Sequence, residues 1–219
     1  EPFSPVRLRE DRPLPSLNED EIKASKRFVD RIARGILYAL REGAQIINLS
    51  LSWPQVVDTD FMRQMIDEAQ GRGVLIVTAA GNDATDMQVF PCNHTGIICV
   101  ASHGPDGALS HFSNYGSAVD IAAPGLNILS TYPQNLRSLF YTDQPGYDFK
   151  NGTSMAAPFV TGILARLRSL GFSPDESYAR LIMGARPLRG NQEKFLKSGN
   201  ADLAKSIQIE PQPLFLSSS

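Results

Sequence analysis

Apolar residues follow two spacings along this chain, one typical of helices and one typical of buried strands. Spacings of three and four residues predict helices at residues 18–43, 58–71 and 153–167, and Pro174 followed by two acidic residues predicts the start of another at 174–184. Short continuous apolar runs predict buried strands at residues 44–50, 73–80, 97–101 and 119–123. Weaker patterns indicate a short strand at 6–8, loops with a hairpin between 124 and 150, and a short helix or turn at 200–207.

The alternation of strands and helices predicts the fold class. Strands that are apolar along their whole length are typical of a parallel sheet that is covered on both faces. We therefore predict an α/β fold, a three-layer parallel sheet with helices on both faces. We expect one domain over residues 1–210, followed by an extended tail over residues 211–219.

Composition excludes some partners. The chain has 219 residues, 42% of them hydrophobic, which is ordinary for a globular domain. A net charge of −2 does not indicate a basic surface, so we expect no nucleic-acid partner. No apolar run is long enough to predict a membrane span. Cys92 and Cys99 match no zinc-binding pattern, and two interpretations stay open: a small-loop disulfide or two buried thiols.

Ser154 lies at the predicted start of a helix, where unpaired N–H groups stabilise developing negative charge. Such a serine is either a nucleophile or a helix cap, and the local pattern does not distinguish the two. Asn82 follows the predicted strand at 73–80, and functional groups of parallel sheets gather at strand ends. Its side-chain amide and the Ser154 N–H would together stabilise the oxyanion of an acyl-transfer reaction.

The heptapeptide Gly-Thr-Ser-Met-Ala-Ala-Pro at residues 152–158 resembles the serine motif of the subtilisin-like serine proteases. Further segments match this family in the same order, at residues 43–52, 77–82, 90–91, 98–102, 112–116 and 120–125, so the resemblance covers roughly residues 5–207. It implies that Ser154 is the nucleophile and Asn82 the oxyanion donor.

The resemblance also implies a substrate-binding cleft. One edge would pair with the substrate backbone, the opposite wall would border the specificity pocket, and one aromatic residue would lie on the leaving-group side. These three roles fall respectively on Ser50, Leu51 and Ser52; on Ala79, Ala80 and Gly81; and on Phe112.

The family order of catalytic residues is Asp, His, Ser, and the chain carries no motif like the family's Asp-Thr-Gly or His-Gly-Thr. His94, His103 and His111 all follow Asn82, where the family has no catalytic histidine. The chain therefore resembles the C-terminal part of a subtilase domain, and we expect an upstream or separately cleaved fragment to supply Asp and His. The alternatives are a non-catalytic domain that binds peptides or proteins and, more remotely, a thiol enzyme using Cys92 or Cys99.

Other expectations follow from the resemblance alone. It implies a polypeptide substrate, an inhibitory propeptide as a partner, and a secreted or extracytoplasmic location. It implies no cofactor for the chemistry. Family members bind calcium in surface loops, one of which corresponds to residues 86–97, but no carboxylates cluster there. We therefore expect no dedicated metal site, and a structural calcium ion would depend on carbonyl ligands.

Overall fold

The computed structural model describes residues 17–86, 89–133, 146–189 and 196–210. Five helices lie within them: α1 (Glu19–Arg41), α2 (Asp60–Gly71), α3 (Thr153–Ser169), α4 (Pro174–Met183) and α5 (Leu203–Gln208). Six strands accompany them: β1 (Ile46–Leu49), β2 (Leu75–Ala79), β3 (Ile97–His103), β4 (Ile121–Pro124), β5 (Ile128–Thr131) and β6 (Tyr147–Lys150). A 3₁₀ turn covers Gln55–Val57. The four predicted helices and four predicted buried strands within these ranges are confirmed, most of them within a few residues of their expected ends.

The first helix begins at a reciprocal cap. The Asn18 side chain accepts hydrogen bonds from the N–H groups of Asp20 and Glu21, and the Glu21 carboxylate accepts one from the Asn18 N–H. This capping box satisfies N–H groups that a helix start leaves without intrahelical partners. The buried positions Val29, Ala33, Ile36 and Leu40 then form one apolar stripe along α1.

A four-stranded parallel sheet forms the centre of the fold, in the order β1-β2-β3-β4. Successive residues of a strand face opposite sides of a sheet. Ile76 of β2 accordingly packs with α1 and α2, whereas the next residue, Val77, packs with α3. The predicted α/β sheet with helices on both faces is confirmed.

The two outer edges of this sheet differ. Along β4, the segment at residues 199–201 covers the edge, since the Ala122 N–H donates to the Gly199 carbonyl and the Ala201 N–H to the Ala122 carbonyl. Along β1, the described residues supply a paired strand on one side only, β2. Ile46 and Ile47 of β1 are only half-buried and Asn48 is exposed.

Two further predictions can be placed. Strands β5 and β6 form the predicted hairpin, an antiparallel pair between β4 and α3. The strand at 6–8 and the tail at 211–219 lie outside the described residues, so the division into a domain and a tail stays a prediction. In the described ranges, no helix has both the length and the apolar composition needed to cross a bilayer.

Candidate active site

Ser154 is the second residue of α3, and the loops that follow β1 and β2 contact the start of this helix. The loop after β1 contributes Ser50, whose carbonyl accepts a hydrogen bond of 3.0 Å from the Ser154 Oγ. The loop after β2 contributes Asn82, whose Oδ1 accepts one of 2.9 Å from the Thr153 N–H. Segments far apart in sequence therefore meet at the start of α3, as the rule for parallel sheets predicts.

Pro158 explains part of the contact between Ser50 and Ser154. In a helix the N–H of residue 158 would donate to the carbonyl of residue 154, but proline has no N–H. The Ser154 carbonyl instead accepts a hydrogen bond of 2.9 Å from the Ser50 hydroxyl. Together with the bond from Ser154 Oγ to the Ser50 carbonyl, this forms a reciprocal pair that fixes the nucleophile candidate against the end of β1.

A short chain of side chains supports this pair. The Asn48 Nδ2 donates to the Ser50 Oγ at 2.9 Å, and the Asn48 Oδ1 accepts from the Thr161 Oγ1 at 2.9 Å. Thr161 belongs to the same helix as Ser154. The Ser50 hydroxyl is therefore oriented by a residue of β1 that α3 itself holds.

Asn82 presents its amide nitrogen while its oxygen is engaged. The Oδ1 accepts from both the backbone N–H and the hydroxyl of Thr153, at 2.9 and 3.1 Å. The Thr153 hydroxyl in turn accepts from the Gly81 N–H at 3.1 Å, and Thr153 is fully buried. Because the oxygen is fixed by two donors, the Asn82 Nδ2 is available to a ligand.

Two N–H donors beside the serine lack acceptors. Within the described ranges, neither the Asn82 Nδ2 nor the Ser154 backbone N–H donates a hydrogen bond to a protein group. The Ser154 N–H is free because it lies in the first turn of α3, where no preceding helical carbonyl exists. A free N–H at a helix N-terminus and a free side-chain amide held against that terminus are donors of the kind that bind a developing oxyanion.

Close packing at the turn before Ser154 requires glycine. Gly125 follows β4, and no larger residue fits there: a Cβ would lie 2.4 Å from the Ser102 Oγ and 2.7 Å from the Gly152 carbonyl oxygen. Gly152 itself precedes α3 with φ of 151°, and its N–H donates to the Gly125 carbonyl at 2.8 Å. The turn that carries Ser154 is therefore seated directly on the end of the sheet.

The predicted substrate edge leaves β1 with free backbone groups. The Leu51 carbonyl accepts from the Thr78 hydroxyl at 2.7 Å, and Trp53 pairs with Phe90 through two backbone hydrogen bonds of 2.9 Å each. Between these fixed points, the N–H and C=O of Ser52 have no hydrogen-bond partner in the described part of the chain. Unpaired backbone groups on an extended segment are what a substrate strand requires.

The predicted opposite wall lies close to this edge. Ala79 and Ala80 are each 2% exposed at the end of β2. A Cβ on Gly81 would lie 3.4 Å from the Ser52 Oγ, so the two predicted walls approach each other at this level. Phe112 is half-buried, and its carbonyl accepts from the Ala84 N–H at 2.9 Å, which places it against the loop that carries Asn82.

An apolar groove continues from the substrate edge. It has a volume of about 670 Å³ and lies between α1 and the segment after β1. Phe28, Leu51, Trp53 and Val57 are among the residues that line it. Phe28 is 49% exposed, and the guanidinium of Arg31 lies 5.7 Å from the centroid of its ring. Sequence reasoning predicted no role for Phe28, because its position in the helical stripe is typical of a core residue.

None of the three histidines forms a hydrogen bond with Ser154 in the described ranges. His94 pairs with Asp67 at 3.3 Å, the His103 Nδ1 lies 2.8 Å from the Gly104 carbonyl, and the His111 ring packs edge-on against Phe112. In the described ranges the Ser154 hydroxyl bonds only to a carbonyl, which accepts a hydrogen bond but cannot take the proton at neutral pH.

Cys92 and Cys99 form a disulfide, so the structure decides between the two alternatives that the sequence left open. Both residues are buried, and the bond ties the segment after Phe90 to strand β3. The alternative of a thiol enzyme is wrong, because neither sulfur is a free thiol.

The loop that the resemblance connects with calcium borders a second cavity of about 470 Å³. Its buried carboxylate, Asp120, accepts from the Lys197 Nζ at 2.9 Å, the Tyr178 hydroxyl at 2.9 Å and the Cys99 N–H at 2.7 Å. The described residues contain no group of three potential metal ligands. A lysine ammonium thus already provides the positive charge beside Asp120, and calcium does not fit there without displacing it.

Comparison with known proteins relates the chain to one family. A model of the subtilase family matches residues 22–200. Thermitase of Thermoactinomyces vulgaris is 35% identical over 177 residues, covering 81% of this chain and 59% of thermitase. The major intracellular serine protease of Bacillus subtilis is 36% identical over 169 residues, covering 72% of this chain and 49% of that protein.

Solved structures give the same result. Fervidolysin of Fervidobacterium pennivorans, a keratinolytic enzyme related to subtilisin, superimposes with a TM-score of 0.71 at 30% identity, over 84% of this chain and 30% of fervidolysin. The prenylagaramide maturation protease PagA gives a TM-score of 0.69 at 26% identity, over 82% of this chain and 67% of PagA. The chain spans between 32% and 59% of the length of the curated relatives it matches.

Proposed function

We propose that this chain, which belongs to the subtilase family, is the nucleophile-bearing part of a serine endopeptidase. The observation that carries the proposal is the pair of free donors, the Asn82 Nδ2 and the Ser154 N–H, beside the Ser154 hydroxyl. A serine that served only as a helix cap would accept a hydrogen bond from an N–H of the first turn. The Ser154 hydroxyl instead donates to the carbonyl of another loop, Ser50.

In the proposed reaction, the Ser154 Oγ attacks the carbonyl carbon of a peptide bond and transfers its proton to a histidine base. The Asn82 Nδ2 and the Ser154 N–H donate to the resulting oxyanion. The C–N bond breaks, the amine leaves with that proton, and an acyl-enzyme on Ser154 remains. Water then hydrolyses the ester and restores the hydroxyl.

We propose that the base and its aspartate come from an upstream or separately cleaved fragment. The edge of β1 supports this, because its backbone has no second strand partner in the described ranges and Ile46 and Ile47 are only half-buried, whereas the opposite edge of the sheet is covered. An unpaired edge next to Ser50 is suited to a further strand. The partial coverage of the curated relatives is consistent with a longer enzyme.

The substrate of the proposed enzyme is a polypeptide in an extended conformation. Ser50, Leu51 and Ser52 would pair with its backbone, Ala79, Ala80 and Gly81 would form the opposite wall, and Phe112 would lie on the leaving-group side. The free backbone groups of Ser52 support the first of these roles. The groove lined by Phe28 and Trp53 favours a substrate with an apolar side chain at its level. An inhibitory propeptide would occupy the same cleft.

Further proposals concern the location of the protein, its cofactors and calcium. The disulfide supports an extracytoplasmic location, because disulfides persist in oxidising compartments. No cofactor takes part in the proposed chemistry. A structural calcium ion would have to use carbonyl ligands other than the Asp120 carboxylate, which Lys197 occupies.

The test uses the protein that carries this chain together with its upstream segment, and an extended fluorogenic peptide with apolar side chains. We expect hydrolysis by the native protein and none by Ser154→Ala. Ser169→Ala, which changes an exposed serine at the other end of α3, is the matched control and should keep full activity. Equal hydrolysis by native protein and Ser154→Ala would refute the proposal. Tight binding of the peptide without hydrolysis would favour the non-catalytic alternative.

A further inference from the structure

We infer that Asn114 is a positioning residue for the oxyanion donor Asn82, an inference that rests on the proposed function. Asn114 lies in the turn after β3, at residues 112–116, and is 2% exposed. It touches neither Ser154 nor the predicted substrate edge through a hydrogen bond. All of its hydrogen-bonding atoms except its own carbonyl are directed at the loop that carries Asn82.

Asn114 holds this loop on both sides of Asn82. Before it, the Asn114 Nδ2 donates to the Ala80 carbonyl at 2.9 Å and the Asn114 N–H donates to the Gly81 carbonyl at 3.0 Å. After it, the Asn114 Oδ1 accepts from the Asp83 N–H at 2.8 Å and from the Thr85 N–H at 3.3 Å. One buried side chain therefore satisfies both the incoming and the outgoing backbone of the turn.

The same turn shows a close fit to Asn114. Gly81 has φ of 102°, and a Cβ at this position would lie 2.4 Å from the Asn114 Nδ2. Ala84 adopts φ of 54°, which is unusual for a residue with a side chain, and its N–H donates to the carbonyl of Phe112 at 2.9 Å. The loop is thus held in a costly conformation by the turn that carries Asn114.

The two ends of the Asn82 residue are fixed independently. Thr153 holds its side-chain oxygen, and Asn114 holds its backbone through the neighbouring residues. The free Nδ2 can point at one place only while both constraints operate. An oxyanion donor contributes through its preset position, so loosening the backbone constraint should weaken transition-state binding more than ground-state binding.

The side-chain orientation of Asn114 is determined by its partners. Two N–H donors face its oxygen and one carbonyl faces its nitrogen, so the amide cannot be reversed. Asn114→Asp keeps the size and the acceptor for Asp83 and Thr85 but loses the donor to Ala80. Asn114→Ser is a second variant, whose shorter side chain loses both the acceptor for Asp83 and Thr85 and the donor to Ala80. Asn200→Asp is the matched control, because the Asn200 Nδ2 also donates to a backbone carbonyl, that of Gly107 at 3.1 Å, but on another turn.

The experiment is a double-mutant cycle on peptide hydrolysis by the full protein. We expect Asn114→Asp to lower kcat by about tenfold or more, with a much smaller change in KM. The loss of kcat should not exceed the roughly 10²–10³ that removal of the Asn82 donor itself would cost. On an Asn82→Ala background the same substitution should leave kcat unchanged, since nothing remains to be positioned. Asn200→Asp should keep the native kcat. An equal loss of kcat with and without Asn82, or no loss in either Asn114 variant, would overturn the inference.

A readout independent of activity separates this inference from the proposed function. If the native protein hydrolyses no peptide, the proposed function fails, but hydrogen exchange still reports on the loop. We expect the Asp83 and Thr85 amide protons to exchange faster in Asn114→Ser than in Asn200→Asp, and the side-chain NH₂ resonances of Asn82 to shift. Unchanged exchange and unchanged Asn82 resonances in a folded Asn114→Ser protein would overturn the positioning role.

Discussion

Thr153→Val removes one hydroxyl that connects α3 to the loop carrying Asn82. The Thr153 Oγ1 accepts from the Gly81 N–H and donates to the Asn82 Oδ1, both at 3.1 Å, and the residue is fully buried. Valine has nearly the same shape, so packing changes little, but the Gly81 N–H is left buried without an acceptor. That loss costs about 1–3 kcal/mol of unfolding free energy. Asn82 keeps its bond from the Thr153 N–H and loses its second restraint.

Thr153→Ser provides the matched comparison, since it keeps the hydroxyl and removes only a methyl group. Removing a buried methyl group costs about 1 kcal/mol, so both variants should be destabilised to a similar extent in urea titrations. Their kinetics should differ: Thr153→Val should lower kcat with little change in KM, whereas Thr153→Ser should retain a near-native kcat. If both variants lose kcat equally, or if Val loses none, the hydroxyl does not orient Asn82 and the reasoning is refuted.

Three further predictions concern the same fold. Asn82→Ala should lower kcat by about 10²–10³ with a small change in KM, the loss already established for the corresponding asparagine of a subtilisin. An unchanged kcat in progress curves would contradict the oxyanion role. Burial and the neighbouring Asp120 raise the pKa of the Tyr178 hydroxyl. The unfolded chain therefore releases this proton at lower pH than the folded chain, so stability should fall as pH rises above about 10, and Tyr178→Phe should weaken that dependence in pH-stepped thermal unfolding. Replacing Cys92 and Cys99 together by Ser should lower the unfolding free energy by about 2–3 kcal/mol in urea titrations, because their sequence separation is 7, and a midpoint equal to that of the native protein would argue against this.

Local patterns were sufficient to predict most of the fold. The capping residues at 18–21 and the apolar stripe behind them specify α1, and the apolar runs specify the central strands, because both signals act within one turn or one strand. Asn82 and Ser154 could also be predicted to meet, because parallel strand ends share one edge of the sheet.

The contacts that hold the site could not be predicted in this way. Asn114 lies 34 residues from Ala80, its hydrogen-bond partner, and no periodicity connects them. The contact between Ser50 and Ser154 spans 104 residues, and one of its two hydrogen bonds uses the carbonyl left free by the missing N–H of Pro158, an effect that appears only once α3 is packed on the end of β1. The pairing of Cys92 with Cys99 likewise needed the distance between the two residues, which spacing alone does not give.

The most direct test of the central claim is covalent labelling of Ser154. The protein that carries this chain with its upstream segment is treated with a fluorophosphonate, digested, and analysed by mass spectrometry. We predict one adduct, on the peptide that contains Ser154, abolished in Ser154→Ala and slowed in Asn82→Ala. A folded protein that hydrolyses peptides but carries no adduct on Ser154, or carries it on another residue, would contradict the assignment of Ser154 as the nucleophile.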